Sequence, residues 1–98
     1  MVISFTTSTP NPDQHPQVEA FLAEFLPRLA KQPGVVGAYH FTDAEAGEST
    51  TVIVWRDDAA RMAYRDGQLL REAQAFEAQQ GLSSTRRAFP LSYPRPTP

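Results

Sequence analysis

The residue best suited to acid-base chemistry is His40, which lies in a stretch with strand character. The chain has two histidines, and the other, His15, lies in a proline-flanked loop where we expect it to be solvated. A neutral imidazole can remove a proton from a phenol or an activated carbon near pH 7. His40 is therefore the candidate catalytic base. The alternative interpretation is a partly exposed strand histidine without a chemical role.

Three aromatic residues are candidates for binding a planar molecule. Tyr64 falls among the apolar positions of a helical stretch and can donate a hydrogen bond to a phenolic oxygen, which makes it a second catalytic candidate. Trp55 ends a run of β-branched residues, and Tyr39 precedes His40; both are candidates for substrate binding. The pattern also fits packing roles, with Tyr64 in the core and Trp55 anchoring the start of a helix.

The cationic candidates for substrate binding are Arg86 and Arg87. Because side chains alternate across a strand, one of them faces outward, and the other can hold a carboxylate or an enolate. The remaining arginines form no long run, and nine basic against eleven acidic residues give a net charge of −2. Nucleic acid is therefore not an expected partner.

The sequence offers no site for a metal or an organic cofactor, and we expect neither. There is no cysteine, which excludes disulfides, thiolate ligands and iron-sulfur clusters. Two distant histidines make a poor metal site, and no glycine-rich phosphate loop is present. The lack of cysteine, of a membrane-spanning apolar stretch and of signal-peptide features predicts a cytoplasmic protein with no membrane partner.

Strands and helices alternate along the chain. The predicted strands are Val2 to Thr9, Val35 to Phe41, Thr50 to Trp55, and Thr85 to Tyr93. The polar stretch Thr42 to Ser49 is interpreted as a flexible hairpin loop. Residues 94–98, a proline-rich tail, can form only coil or a polyproline-like segment.

Two helices lie between these strands. The first starts near Pro16, with Asp13 placed to cap it and Pro27 expected to kink it or loosen its last turn. The second is capped by Asp57 or Asp58 and runs to Gln80 and Gly81, although a glycine at position 67 weakens its middle.

The resulting β-α-β-β-α-β order predicts one α+β domain over residues 1–93. Right-handed crossovers place both helices on one face of a four-stranded antiparallel sheet, which is the ferredoxin-like arrangement. The second and third strands are apolar on both faces. Because two helices cover only one face, we expect the other to meet a second subunit in a homodimer.

This topology also predicts where the candidate residues lie. If Phe41 is opposite Thr50, Trp55 pairs near Val36 and lies about 13 Å from His40, too far to act on the same atom. The helical rise brings Tyr64 to the level of Tyr39 or His40. Arg86 and Arg87 start the fourth strand at the same end, beside Thr6 and Ser8 at the end of the first. We therefore expect a base, a donor and a cation to converge there.

Short motifs connect the chain to a known group of proteins. They are Pro33-Gly34-Val35 at the start of the second strand, Val52-Ile53-Val54-Trp55-Arg56-Asp57, and the following Asp58-Ala59-Ala60. In these residues the chain resembles the dimeric α+β barrel superfamily and, within it, the antibiotic-biosynthesis monooxygenase-like group. The resemblance covers roughly residues 1 to 93.

The resemblance implies a dimer whose sheets form a barrel, with a cavity in each subunit between sheet and helices. It implies a cofactor-independent monooxygenase of aromatic polyketide-like or quinol-like molecules, whose electron-rich anion reduces oxygen directly. The haem-degrading branch uses an asparagine, a tryptophan and a histidine. Only the tryptophan has a counterpart in this chain, Trp55, so that branch is disfavoured. The alternative is a non-catalytic dimeric module that binds a small ligand or completes an assembly. An entirely apolar cavity would favour that alternative, whereas His40 or Tyr64 meeting an arginine would favour the enzyme.

Overall fold

Residues 1–93, which the computed structural model describes, form one antiparallel sheet with helices packed on one of its faces. The elements are β1 (Val2–Ser8), α1 (His15–Ala30), β2 (Val35–Asp43), β3 (Glu48–Trp55), α2 (Asp58–Arg65), α3 (Gln68–Gln80) and β4 (Ser84–Pro90). The strand order is β2-β3-β1-β4, with every neighbouring pair antiparallel. The predicted ferredoxin-like fold is confirmed. The predicted proline-rich tail lies outside the described residues.

The register between β2 and β3 agrees with the prediction at one end and differs by a residue at the other. Phe41 pairs with Thr50 as predicted, but Trp55 pairs with Val35 because the register shifts between Val35 and Gly37. Such a bulge adds one unpaired residue to a strand. The side chains of β3 nevertheless keep their strict alternation between the helix-covered face and the open face of the sheet.

The hairpin between these strands is tighter than expected. β2 extends to Asp43 and β3 starts at Glu48, so the turn spans only residues 44–47 and the predicted eight-residue flexible loop is wrong. The Asp43 carboxylate accepts hydrogen bonds from the amides of Glu45 and Ala46 at 3.1 and 3.2 Å. A side chain that accepts a hydrogen bond from the backbone amide two residues further along the chain favours an ordered turn.

The start of α1 also differs from the prediction. A short 3₁₀ turn, Pro12–Gln14, precedes the helix, and the Asn11 amide donates to the side-chain oxygen of Gln14 at 2.8 Å. Asp13 therefore does not cap α1. Pro27 lies inside the helix without ending it. The fourth strand ends at Pro90 rather than Tyr93, because its partner β1 begins at Val2, the residue that pairs with Pro90.

The single second helix of the prediction is two helices. Asp57 caps α2 by accepting from the Ala60 amide at 2.8 Å, and this hydrogen bond lowers the pKa of the carboxyl. The helix ends at Arg65, and Gly67, with an extended backbone, is the N-cap residue that precedes α3. A Cβ on Gly67 would lie 3.1 Å from the Ala63 carbonyl oxygen, so glycine suits this close turn. The weak middle noted in the sequence is therefore a break.

The core lies between the sheet and the helices and is centred on Trp55. Its side chain is 0% exposed, and its indole nitrogen donates to the Ser4 hydroxyl at 3.0 Å. The buried cluster around it consists of Val2, Phe25, Leu29, Ile53 and Leu69. Trp55 thus joins the end of β3 to β1 and to the helices above it.

The junction between α1 and β2 allows a test of this packing. Gly34 has φ +83° and faces Ala60 in α2 so closely that a Cβ would overlap the alanine side chain. Gly81 has φ +68° but open space around it. We expect Gly81→Ala to cost about 1 kcal/mol, and Gly34→Ala about 3 kcal/mol or more, in urea unfolding. Equal losses would show that α2 does not constrain Gly34.

Candidate functional site

Hydroxyl groups line much of the sheet under the helices. Their residues alternate along three strands and form what we name the hydroxyl floor: Ser4, Thr6, Ser8, Ser49, Thr51 and Ser84. Sheet surfaces that pack on helices are ordinarily apolar. A few polar groups facing an apolar roof are typical of a ligand cavity. The floor therefore marks the space above it as the candidate site.

Two adjoining cavities lie over this floor. The α1 cavity, about 80 Å³, is roofed by apolar residues of α1 and α3: Val18, Phe21, Leu22, Phe25, Leu26, Leu29, Ala73 and Phe76. The α2 cavity, about 260 Å³, lies beside α2 and includes Trp55, Arg61, Arg65, Leu70 and Ala88. Both cavities are lined by Thr6, Ile53, Tyr64 and Arg86. These four residues mark the place where the two cavities meet.

Tyr64 is the aromatic residue at this junction. Its ring lies 5.4 Å from that of Trp55, at an interplanar angle of 37°. Burial raises the pKa of Tyr64 to about 12, with a smaller raising effect from Glu77 and an opposing effect from Arg86. The hydroxyl is therefore protonated at neutral pH. It can donate a hydrogen bond to an oxyanion, but it cannot serve as a base.

The two neighbouring arginines of β4 separate onto opposite faces of the sheet. Arg86 faces the helices, where its guanidinium donates to both oxygens of Glu77 at 2.8 and 3.0 Å. Arg87 borders the α2 cavity, but its guanidinium stacks 4.9 Å above the ring of Phe89, two residues along the strand. Arg86 is therefore the arginine that meets Tyr64 at the cavities.

His40 is on the helix-covered face of β2 but lines neither cavity of the described residues. Its Nε2 lies 3.2 Å from the Ser49 hydroxyl, and its Nδ1 is buried without a hydrogen-bond partner in residues 1–93. Burial lowers the pKa of His40, which keeps the imidazole neutral at pH 7. The side chain has the protonation state of a base but no access to the cavities.

The predicted convergence of His40, Tyr64 and Arg86 is not observed. His40 pairs with Thr51, Thr51 with Thr6, and Thr6 with Arg86, so the histidine and the arginine share a row at opposite edges of the sheet. Three strand spacings separate them by about 14 Å. Tyr64 lines both cavities together with Thr6 and Arg86, which lie in the same row as His40, but the histidine is at the other edge of the sheet. The positions of His40 and Arg86 along their strands were predicted correctly, whereas the distance between those strands across the sheet was not considered.

The other two predicted binding residues lie on opposite faces of the sheet. Trp55 borders the α2 cavity, but it is fully buried and acts as the wall behind Tyr64. Tyr39 is 61% exposed and lies on the open face, with its ring over Gly37. The alternation of β2 thus directs Tyr39 away from the face that His40 occupies.

The sequence interpretation missed the hydroxyl floor and the two arginines of α2. The alternation of Ser4, Thr6 and Ser8 places three hydroxyls on one face, a signal that was present in the sequence. Arg61 and Arg65 are one helical turn apart and flank Tyr64. The sequence analysis assigned them no role, although both line the α2 cavity.

Among the described residues, the ionisable groups that line the two cavities are arginines, Glu77 and Tyr64. In residues 1–93 no group of three or more histidine, cysteine, aspartate or glutamate side chains could hold a metal ion. None of the helices in this part of the chain is long and apolar enough to cross a membrane. The groups that line the two cavities are thus mainly hydrogen-bond donors, cations and apolar side chains.

Comparison with protein families identifies a match over most of the chain. The family described as antibiotic biosynthesis monooxygenase matches residues 1–76 of this chain. The matched segment contains β1, α1, β2, β3 and α2, and most of α3, so it includes Tyr64 and both arginines of α2. No match was found among curated proteins.

Solved structures with the same fold span a wide range of sequence. A Deinococcus radiodurans protein described as a candidate antibiotic biosynthesis monooxygenase has a TM-score of 0.88 and 13% identity, over 99% of this chain and 98% of that one. A variant of SnoaB, a cofactor-independent oxygenase from Streptomyces nogalater, has a TM-score of 0.75 and 22% identity, over 98% and 97%. A Nitrosomonas europaea protein of unknown function has a TM-score of 0.80 and 18% identity, over 99% and 94%. At these identities the likeness concerns the fold.

The raised pKa of Tyr64 predicts a loss of stability in alkali. Between about pH 10 and 12 the unfolded chain releases this proton and the folded chain keeps it, so stability is complete below pH 10 and declines above it. From about pH 10 to 11.5, wild type should lose about 1.5 kcal/mol more than Tyr64→Phe. Urea unfolding of both proteins at these pH values measures the difference. Parallel losses would contradict the burial of this hydroxyl.

Proposed function

Because the chain belongs to the antibiotic biosynthesis monooxygenase family, we propose that it is a monooxygenase that oxidises an electron-rich aromatic molecule without a bound cofactor. The substrate class is quinol-like or aromatic polyketide-like. The observation that carries the proposal is that Tyr64 and Arg86 line both cavities, so that a neutral donor and a cation meet beneath an apolar roof. An entirely apolar cavity would instead have favoured a non-catalytic binding module.

The proposed reaction needs no reductant other than the substrate. A ring methylene next to a phenol loses a proton to give an electron-rich anion, and this anion transfers electrons to dioxygen. The methylene becomes a carbonyl that holds one oxygen atom, and the second oxygen atom leaves as water. The sum, CH₂ + O₂ → C=O + H₂O, balances in atoms and electrons. The protein then has to bind, orient and stabilise the anion.

Each part of the site has a role in this scheme. Tyr64 donates a hydrogen bond to the oxygen of the substrate anion, and the positive charge of Arg86 stabilises the same anion. Their combined effect lowers the pKa of the bound substrate. The released proton passes to solvent at the exposed side of the α2 cavity, where Arg65 lies. The apolar residues of α1 and α3 exclude water from the reacting carbon.

His40 is the remaining candidate for the base. Its neutral imidazole suits that role, but it lines neither cavity, and the proposal therefore assigns the essential contacts to Tyr64 and Arg86. A variant of the histidine separates the two possibilities.

The proposal includes a homodimer formed through the open face of the sheet. Large apolar side chains are exposed on this side: Val36 at 61%, Tyr39 at 61%, Phe41 at 53% and Phe89 at 40%. The strand pairing places Ile3, Phe5, Val52 and Val54 among them. Exposed apolar surface of this extent is uncommon on monomers. A second copy of the same face would cover it.

Oxygen consumption with anthrone-like and quinol-like aromatics tests the function. We expect Tyr64→Phe to lower kcat by about 10 to 100-fold, because it removes one donor to the anion without emptying the core. Tyr39→Phe is the matched control, since the same hydroxyl is removed on the opposite face. His40→Ala should stay within about threefold of wild type. A loss of 100-fold in His40→Ala, with Tyr64→Phe unaffected, would return the catalytic role to the histidine.

Sedimentation or light scattering tests the dimer. Phe41→Glu places a charge within the exposed apolar face and should shift the protein to monomer at micromolar concentration, because a buried unpaired charge is strongly unfavourable. Gln74→Glu, on the exposed side of α3, introduces the same charge and should leave the mass unchanged. A monomeric wild type would exclude this assembly.

A further inference from the structure

We propose that the α2 cavity selects aromatic molecules that carry a carboxylate, and that Arg61 and Arg65 of α2, together with Arg86 of β4, bind this group. The inference specifies the substrate class of the proposed function and rests on it for the reaction. The binding preference itself follows from the charge and geometry of the cavity.

The charge around the α2 cavity is strongly unbalanced. Four of its lining residues are arginines, at positions 61, 65, 86 and 87, and none of the lining residues in the described chain is acidic. The whole chain has a net charge of −2, so the positive charge is local. The adjoining α1 cavity, by contrast, includes Glu77. A cavity lined by one sign of charge favours ligands of the opposite sign.

The acidic partners of the α2 arginines lie outside the cavity and leave donors free. The Nε of Arg61 donates to Asp58 at 2.8 Å, and that of Arg65 to Asp66 at 3.3 Å. Both aspartates are largely exposed, at 63% and 70%. Ion pairs of this kind contribute little in water. Each guanidinium has five N–H donors, so one exposed pair does not exhaust it.

Arg86 has a different part in the site. Its Nη2 bonds to Glu77, which is only 16% exposed, so this arginine is held in place at the junction of the cavities. Arg87 is excluded from the proposed carboxylate site, because its guanidinium stacks on Phe89 at the other face. The carboxylate is thus assigned mainly to the two arginines of α2, with Arg86 contributing positive charge from the sheet.

The spacing on α2 fits a carboxylate attached to an aromatic ring. Residues four apart on a helix have Cβ atoms about 5 to 6 Å from each other, which lets Arg61 and Arg65 bind the two oxygens of one carboxylate. Tyr64 and Leu70 border the same cavity and supply an aromatic edge and an apolar surface. The cavity volume of about 260 Å³ suits a compact fused-ring acid.

The single tryptophan provides a direct binding assay. Trp55 borders the cavity, and no other tryptophan contributes to the fluorescence. Anthraquinone carboxylate and the neutral anthraquinone carboxamide are titrated against the purified protein, and quenching of Trp55 gives both dissociation constants. We expect the carboxylate to bind at least about tenfold more tightly, and added salt to weaken the binding of the carboxylate only.

Single variants then test the residues. Arg61→Gln and Arg65→Gln should each reduce the preference for the carboxylate about threefold or more, and the double variant should abolish it. Lys31→Gln, at the exposed end of α1, makes the same change in net charge and should retain the full preference. Both α2 arginines are partly or fully exposed, so the fold should tolerate their replacement, which circular dichroism can check.

The outcomes separate this inference from the proposed function. Equal affinity for the acid and the amide, or full selectivity in the double variant, would overturn the carboxylate site. Selective binding without oxygen consumption by any aromatic acid would support the site and count against the monooxygenase. Turnover of neutral quinols with no preference for acids would support the monooxygenase and reject the site.

Discussion

The indole of Trp55 occupies the centre of the molecule and must satisfy two requirements at once. Its surface is fully enclosed, and its N–H needs an acceptor, which the hydroxyl of Ser4 on the neighbouring strand supplies. Immediately after it, the Arg56 amide donates to the Gly34 carbonyl at 2.7 Å, and Asp57 caps α2. The position of α2 over the sheet follows from these contacts. Because Tyr64, Arg61 and Arg65 belong to α2, the geometry of the site depends on a buried tryptophan that a ligand does not need to touch.

The hydroxyl floor conflicts with the usual demands of a core. Serine and threonine in the middle of a sheet bury less apolar surface than valine or isoleucine would, and each hydroxyl needs a hydrogen-bond partner when it is covered. Thr7 and Thr50 pair with each other at 3.1 Å on the other face, which shows how such a need is met within the sheet. On the helix-covered side the same groups border cavities. Local departures from good packing are typical of functional sites, and they lower the free energy of unfolding.

Much of the fold could be predicted from the sequence because it depends on short-range patterns. Alternating β-branched residues located the strands, and the hairpin fixed the pairing of Phe41 with Thr50. The site was less predictable. The rise per residue gives the position of a side chain along its strand or helix, but it does not give the distance between two strands across the sheet. His40 and Arg86 were placed at the right level, and the strand order then put them at opposite edges. The break at Gly67 and the inward side of α2 depend on tertiary packing, so the position of Arg61 and Arg65 at the cavity could not be predicted from their spacing.

The irregular register of β2 bears on how the protein avoids uncontrolled aggregation. An edge strand with regular unpaired amides and carbonyls is a template on which further chains can add without limit. In β2 the shift between Val35 and Gly37 interrupts that template near its start, and β4 presents Arg86 and Arg87 close to the opposite edge. A strand from another molecule would lose its pairing at the bulge. Association through the open face of the sheet differs from strand addition, because the two faces cover each other and leave no open face for a third copy. The bulge therefore disfavours open-ended addition of strands at this edge of the sheet.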